Sequence, residues 1–257
     1  SFPMSNSKNA AVLLIGDELL SGRTRDINLQ NIARYLGPLG IQVKESRTIS
    51  DDRDAIISTV NDLRGRYDYV FTTGGIGPTH DDITADCVAA AFEANIDERE
   101  DALAILTEHY NRTGIEFTDA RKRMARIPDG ASLIKNPVSS APGFQIGNVF
   151  VMAGVPSIVQ GMLEDVGHRL EGGQVVLSSG YRIAGAKEGE MAQPLGQIAK
   201  AHLNVSIGSY PWYDGPHNTG VNIVVRGADR SKIDAALADI TDMLDGMSLG
   251  FEPVSTL

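Results

Sequence analysis

The sequence predicts an α/β protein of three layers, a mostly parallel sheet flanked by helices, with a small α+β domain after it. Three observations point there. Short, continuous apolar runs alternate with amphipathic stretches as far as residue 170. The runs have the length and continuity of strands buried on both faces, as in parallel sheets. Beyond Glu171-Gly172-Gly173 the order of elements changes character.

Ala10 to Gly16 reads as the first buried strand. Leu29, Ile32, Ala33 and Leu36 recur at helical spacing, so a helix is expected over 28–36, stopped by Gly37-Pro38. Ile41 to Ile49 is a second strand, Asp54 to Leu63 a helix with Ile56, Ile57, Val60 and Leu63 inward, and Tyr69 to Thr73 a third strand. Helices are expected over 84–94, 99–112 and 119–126, then strands 144–146 and 149–153 turning at Gly147-Asn148, then a helix over 157–170. The second part reads as strand 175–179, helix 190–201, strands 205–210 and 221–226, and helix 230–247. The expected domains are 8–171 and 174–250.

Composition narrows the function. At 257 residues the chain can bury a sizeable core, and 42% hydrophobic with 22% charged residues is ordinary for a folded protein. A net charge of -10 argues against nucleic acid as the partner, because such binders concentrate Lys and Arg against phosphates. No apolar run reaches membrane-spanning length. The lone Cys87 lies in an apolar helical stretch and reads as a buried, inert thiol, which fits a cytoplasmic location. Ser1-Phe2-Pro3-Met4 reads as a cloning remnant ahead of the native start.

An anion must then be held locally, and Thr73-Gly74-Gly75-Ile76-Gly77-Pro78-Thr79 is suited to that. Three glycines between a buried strand and a helix let the backbone turn and let a ligand approach its N–H groups. Asp81 and Asp82 follow, with Thr84 opening the helix. Carboxylates beside a bound phosphate cost Coulomb energy unless a hard cation intervenes, and Mg²⁺ commonly bridges carboxylate and phosphate oxygens. Alternatively, Asp82 or Thr84 caps the helix. Gly16-Asp17-Glu18-Leu19-Leu20-Ser21 after the first strand and Asp51-Asp52 after the second repeat the acidic ending, either as solvated turns or as walls of one pocket at the carboxyl edge of the sheet. His80 reads as an incidental exposed residue and Trp212 as packing.

These segments resemble the MoaB/Mog-type molybdopterin-binding family, and within it the N-terminal part of the CinA (competence/damage-inducible) proteins. The resemblance rests on Ile15 to Gly22, Asn28, Thr73 to Thr84, Asn136-Pro137 with Ala141-Pro142-Gly143, and Ala153-Gly154-Val155-Pro156-Ser157; Gly185 to Glu190 extends it into the small domain. It implies a MoaB/Mog-like fold and a ligand site built from Gly16, Glu18, Ser21, Asn28, Asp51, Thr73, Gly74, Gly75, Gly77, Pro78, Thr79, Thr84, Pro142, Gly143, Gly154, Pro156 and Ser157. In molybdopterin-binding relatives an aspartate at the position of Asp82 takes part in adenylyl chemistry, and Asp51 matches a second acidic position. In CinA-type and FAD-synthase-associated relatives the fold is linked to metal-dependent cleavage of the pyrophosphate bond of ADP-ribose or FAD. Gly77-Pro78-Thr79 follows the CinA pattern and tilts the expectation toward hydrolysis.

The expectation is therefore a small phosphate-bearing ligand, catalytic Asp82 and Asp81, and a divalent metal, Mg²⁺ or Co²⁺, held by Asp82 and Asp17. Gly74, Gly75 and Gly77 are expected to supply backbone donors. Two alternatives stand beside it: a module that holds molybdopterin without turning it over, and an interaction protein that keeps the fold alone. The resemblance also implies a homo-oligomer, dimer or trimer. The amidohydrolase domain that ends many CinA proteins does not follow here, so deamidation of nicotinamide mononucleotide is not expected.

Overall fold

A computed structural model describes residues 8–172 and 177–254. The expected remnant Ser1-Phe2-Pro3-Met4, Gly173 of the expected boundary, and Val175-Val176 of the expected strand 175–179 lie outside those residues. Contacts divide the chain into two units, one of Lys8–Ala33 and Gln42–Leu170, the other taking Arg34–Ile41 with the segment from Glu171.

The first unit carries strands β1 (Lys8–Ile15), β2 (Ile41–Ile49), β3 (Tyr69–Thr73), β4 (Ile96–Glu98), β5 (Arg126–Pro128), β6 (Ser132–Ile134), β7 (Gly143–Ile146) and β8 (Val149–Met152). Its helices are α1 (Asp17–Leu20), α2 (Asn28–Leu36), α3 (Arg53–Arg66), α4 (Thr84–Ala91), α5 (Glu100–Thr113), α6 (Asp119–Lys122) and α7 (Pro156–Val166). Six strands form a sheet in the order β2-β1-β3-β8-β7-β6. β1 and β8 run parallel to β3 between them, while β7 and β6 close the sheet antiparallel.

Central position explains the continuous apolar runs: Ala10 to Ile15, Val70, Phe71 and Val149 to Met152 are buried on both faces. The outermost β2 instead alternates buried or half-buried with exposed residues, as a strand covered on one face must. Phe71 stacks on Phe150 across the β3–β8 pair, centroids 5.1 Å apart and planes 18° from parallel. Cys87 is buried with the core on α4, and that burial pushes its thiol up to about 11, so it is an inert packing residue.

Several elements depart from the sequence reading. The expected helix 119–126 is α6 plus a single 3-10 turn, Arg123–Ala125, after which the chain becomes β5 and pairs with β4. α4 stops at Ala91, and Glu93 takes the left-handed φ of 54° beyond it. α3 begins earlier than expected because the Asp52 carboxylate accepts the Ala55 N–H at 2.9 Å, capping it.

The second unit is antiparallel: β9 (Leu177–Ala184), β10 (Ser206–Tyr213), β11 (Thr219–Gly227) and β12 (Glu252–Pro253), in the order β10-β11-β9-β12, with α8 (Glu188–Ala201) and α9 (Arg230–Gly246). Ile183, Val221, Ile223 and Val225 pack with Ile233, Ile240 and Leu244. Trp212 lies in β10 rather than a loop; it is buried, with the Arg182 guanidinium 3.5 Å above its ring. No described helix is long and apolar enough to cross a membrane.

Candidate functional site

Because β1, β3 and β8 are parallel, their carboxyl ends share one edge, and antiparallel β7 brings its amino end, Gly143, to the same edge. Gly16 N–H donates to Ile49 O at 3.1 Å, which adds the end of β2. The segments singled out in the sequence therefore meet in space.

Backbone crowding explains the glycines. Gly74 has a φ of 95° and Gly75 one of 76°, values that L side chains rarely adopt. A Cβ on Gly74 would also strike the Ile15 carbonyl, and one on Gly75 the Thr84 hydroxyl. A Cβ on Gly154 would sit 3.3 Å from the Gly74 Cα, so the loops after β3 and β8 touch through two glycines. Buried Asn28, at the start of α2, fastens this junction by donating from Nδ2 to Gly154 O at 2.9 Å.

The donor set differs from the expectation at one glycine. Gly74 N–H donates to Met152 O at 3.1 Å and so continues the sheet instead of facing a ligand. Among the described residues, the N–H groups of Gly75, Ile76 and Gly77 have no hydrogen-bond partner. The available donors are thus Gly75 and Gly77 with Ile76 between them.

Asp82 does not cap α4. The N-cap is Ile83, without a side-chain bond, and the Thr84 N–H donates to Gly75 O at 3.0 Å. Asp82 turns back into the glycine loop: its Oδ2 accepts from Thr79 N–H and Thr79 Oγ1, both at 2.9 Å, and its carboxylate packs where a Cβ on Gly77 would stand. Asp81 points elsewhere, 3.3 Å from His80 Nε2, with both side chains largely in solvent. Pro78 and Thr79 form the exposed rim.

Asp17 and Glu18 lie in the first turn of α1, with the Glu18 carboxylate curled against Gly16; the Ser21 Oγ donates to Glu18 O at 3.3 Å. Asp51 is half-buried. Burial raises its carboxyl above the usual carboxylate range, and the charges of Asp17, Glu18 and Asp82 raise it further, against the lowering effect of the Asp17 N–H bond. Four carboxylates from the ends of three strands therefore share one field. Such a field suits a hard cation, although no group of three or more His, Cys, Asp or Glu is already clustered for a metal among the described residues.

The remaining wall comes from the loop before β7. Asn136 Oδ1 accepts the N–H groups of Val138 and Ser139 at 3.0 Å, and its Nδ2 donates to Ala141 O at 2.9 Å, which presents Pro142-Gly143 at the edge. Thr73 is buried at the end of β3; Pro156 and Ser157 open α7 without a side-chain cap. Beside the glycine loop is a cleft of about 20 Å³ lined by Gly75, Gly77, Asp82, Arg123, Arg126 and Pro142, among others. Neither arginine was singled out from the sequence, where both fell on an expected helix with no feature separating them from surface charge.

Residues 11–172 match the family described as "Probable molybdopterin binding domain", and residues 183–251 match the middle domain of FAD synthase. A CinA-like protein of Citrifermentans bemidjiense is 41% identical over 159 residues, 60% of this chain and 38% of that protein. The chain thus spans under two fifths of that relative's length. A protein of Metallosphaera sedula is 30% identical over 257 residues, 92% of this chain and 97% of its own. The crystal structure of CinA from Thermoplasma acidophilum, 34% identical, superposes with a TM-score of 0.58 over 63% of this chain and 98% of that one.

Proposed function

The chain belongs to the molybdopterin-binding-domain family matched over residues 11–172, and on that premise we propose that its glycine loop holds a phosphate-bearing nucleotide or pterin and that the protein hydrolyses a pyrophosphate bond of the ADP-ribose or FAD type with a divalent metal. The observation that carries the reading is the meeting of unpartnered loop amides with an acidic field: Gly75, Ile76 and Gly77 offer donors beside Asp82, whose charge is felt at Asp51. Amides alone would serve a binding module. Amides opposed by carboxylates favour a bridging cation.

Asp82 and Asp17 would hold that cation, with Asp51 and Glu18 adding to the negative field. A bound divalent ion would neutralise diphosphate charge and make the phosphorus more open to attack. The chain's own part is to orient the diphosphate on the Gly75 and Gly77 amides and to keep Asp82 in place through Thr79. Water adds its oxygen to one phosphorus as the bridging P–O bond breaks, so ADP-ribose would give AMP and ribose 5-phosphate. The match of residues 183–251 to a FAD synthase domain supports a nucleotide substrate.

The test is a hydrolysis screen of ADP-ribose, FAD and NAD with Mg²⁺ and Co²⁺, run beside Asp82→Ala. Metal-dependent release of AMP, lost in the variant while the fold persists, is expected. Undiminished turnover in Asp82→Ala rejects its role. Molybdopterin binding by calorimetry with no hydrolysis establishes the non-catalytic alternative instead.

A further inference from the structure

The cleft beside the glycine loop is lined by two arginines whose guanidinium groups are in different states. Arg126 is paired with Asp86: Nη2 lies 2.6 Å from Oδ1 and Nε 3.2 Å from Oδ2, a two-pronged pair. The Arg123 side chain, one turn earlier, has no hydrogen bond, ion pair or ring contact among the described residues, and its Nε is buried from solvent without a partner. Its neighbours are engaged elsewhere, Lys122 with Asp119 at 3.6 Å and Arg121 with Glu116 O.

A buried donor on a charged group costs free energy until something accepts from it. Asp82 lines the same cleft, yet makes no ion pair with Arg123 and spends its Oδ2 on Thr79. The space is about 20 Å³, enough for an oxygen-sized atom. An acceptor atom on an anionic group could satisfy the unpartnered Arg123 Nε and the unpartnered Gly75 and Gly77 amides, all on residues that line this cleft. A guanidinium offers a phosphate oxygen a directed donor as well as charge.

We propose that Arg123 is an anion-binding residue of this site, receiving a non-bridging phosphate oxygen of the diphosphate held by the glycine loop. The assignment rests on the reading of the loop as a phosphate site. It adds a cation from the segment between α6 and β5, outside the motifs that carry the resemblance, and it selects diphosphate-bearing ligands over their neutral nucleosides.

The test measures binding rather than turnover. Calorimetry with ADP-ribose and with inorganic pyrophosphate, on the parent, Arg123→Gln and Arg123→Lys, should show at least tenfold weaker binding in R123Q and an intermediate loss in R123K, which keeps charge without the fork. Because R123Q can fail to fold, the ¹⁵Nε–H resonance of Arg123 is followed in the parent; it should shift on adding ADP-ribose and stay in place with adenosine. Parent binding with R123Q within twofold, or a stationary Nε resonance at saturation, overturns the assignment and leaves the loop reading intact; a bridging water would give that result. No binding of either phosphate compound by the parent overturns both.

Discussion

Asp17 and Asp51 exchange hydrogen bonds across the ends of β1 and β2: Asp17 N–H donates to Asp51 Oδ2 at 3.1 Å, and Asp51 N–H donates to Asp17 Oδ1 at 3.2 Å. Each carboxylate is held by the other's backbone, so two like charges are fixed near one another. The arrangement costs stability that a ligand or cation can recover.

That cost has a defined pH dependence. Asp51 is raised in the folded protein, by burial first and then by its acidic neighbours. The folded state therefore holds this proton more tightly than the unfolded chain. Stability from it is fully present below the unfolded value, about 3.9, and is lost as pH rises through the folded value. Asp51→Asn keeps an acceptor for Asp17 N–H without the charge. In metal-free buffer it should melt above the parent at pH 7, and the two curves should converge below about pH 4. Equal melting temperatures at pH 7 would mean that the carboxyl carries no electrostatic penalty.

Gly75 and Gly114 separate conformation from crowding. Their φ values are 76° and 72°, but a Cβ meets nothing within 4 Å at Gly114 and strikes Thr84 at Gly75. Gly114→Ala should cost about 1–2 kcal/mol for the left-handed backbone. Gly75→Ala should cost about 1–3 kcal/mol more, because the clash is added. Urea titrations of the two variants give the difference, and equal midpoints would show that the loop relaxes freely around a methyl group.

The glycines were legible in the sequence because turn chemistry is local, and so were β1, β3 and β8, whose burial on both faces writes an unbroken apolar run. Three-residue strands such as β4, β5 and β6 were not, since three residues show no period to distinguish them from a loop. The helix expected over 119–126 hid β5 for that reason and hid Arg123 with it. Nothing local marks Arg123 as different from Arg121; only the tertiary position of its 3-10 turn puts it at the cleft. Likewise, Gly74 looked like its neighbours until the pairing of β3 with β8 committed its N–H to Met152.

Asn28 tests the junction of loops. Its Nδ2 bond to Gly154 O is buried, and its Oδ1 has no partner among the described residues. Asn28→Ala leaves the Gly154 carbonyl without that donor and should cost about 1–3 kcal/mol. Asn28→Asp should cost more, because a carboxylate replaces the donor facing a carbonyl in a buried site. Chemical denaturation orders the two; an Asp variant as stable as the Ala variant would show that water reaches this junction.

Asp82 has two jobs that a neutral isostere pulls apart. Its Oδ2 holds Thr79 through two hydrogen bonds, which shapes the loop, and its charge is the one proposed to hold a cation. Asp82→Asn keeps a carbonyl oxygen for both Thr79 donors, so its melting temperature should stay near the parent's. Metal-dependent hydrolysis should nevertheless fall on the order of a hundredfold or more, as when a preorganised electrostatic contact to the reacting group is removed. Asp82→Ala should lose both the hydrolysis and the loop bonds, with about 0.5–1.5 kcal/mol of stability per bond. If Asp82→Asn hydrolyses ADP-ribose like the parent while Asp82→Ala does not, the carboxylate serves the loop alone and the cation must be held elsewhere.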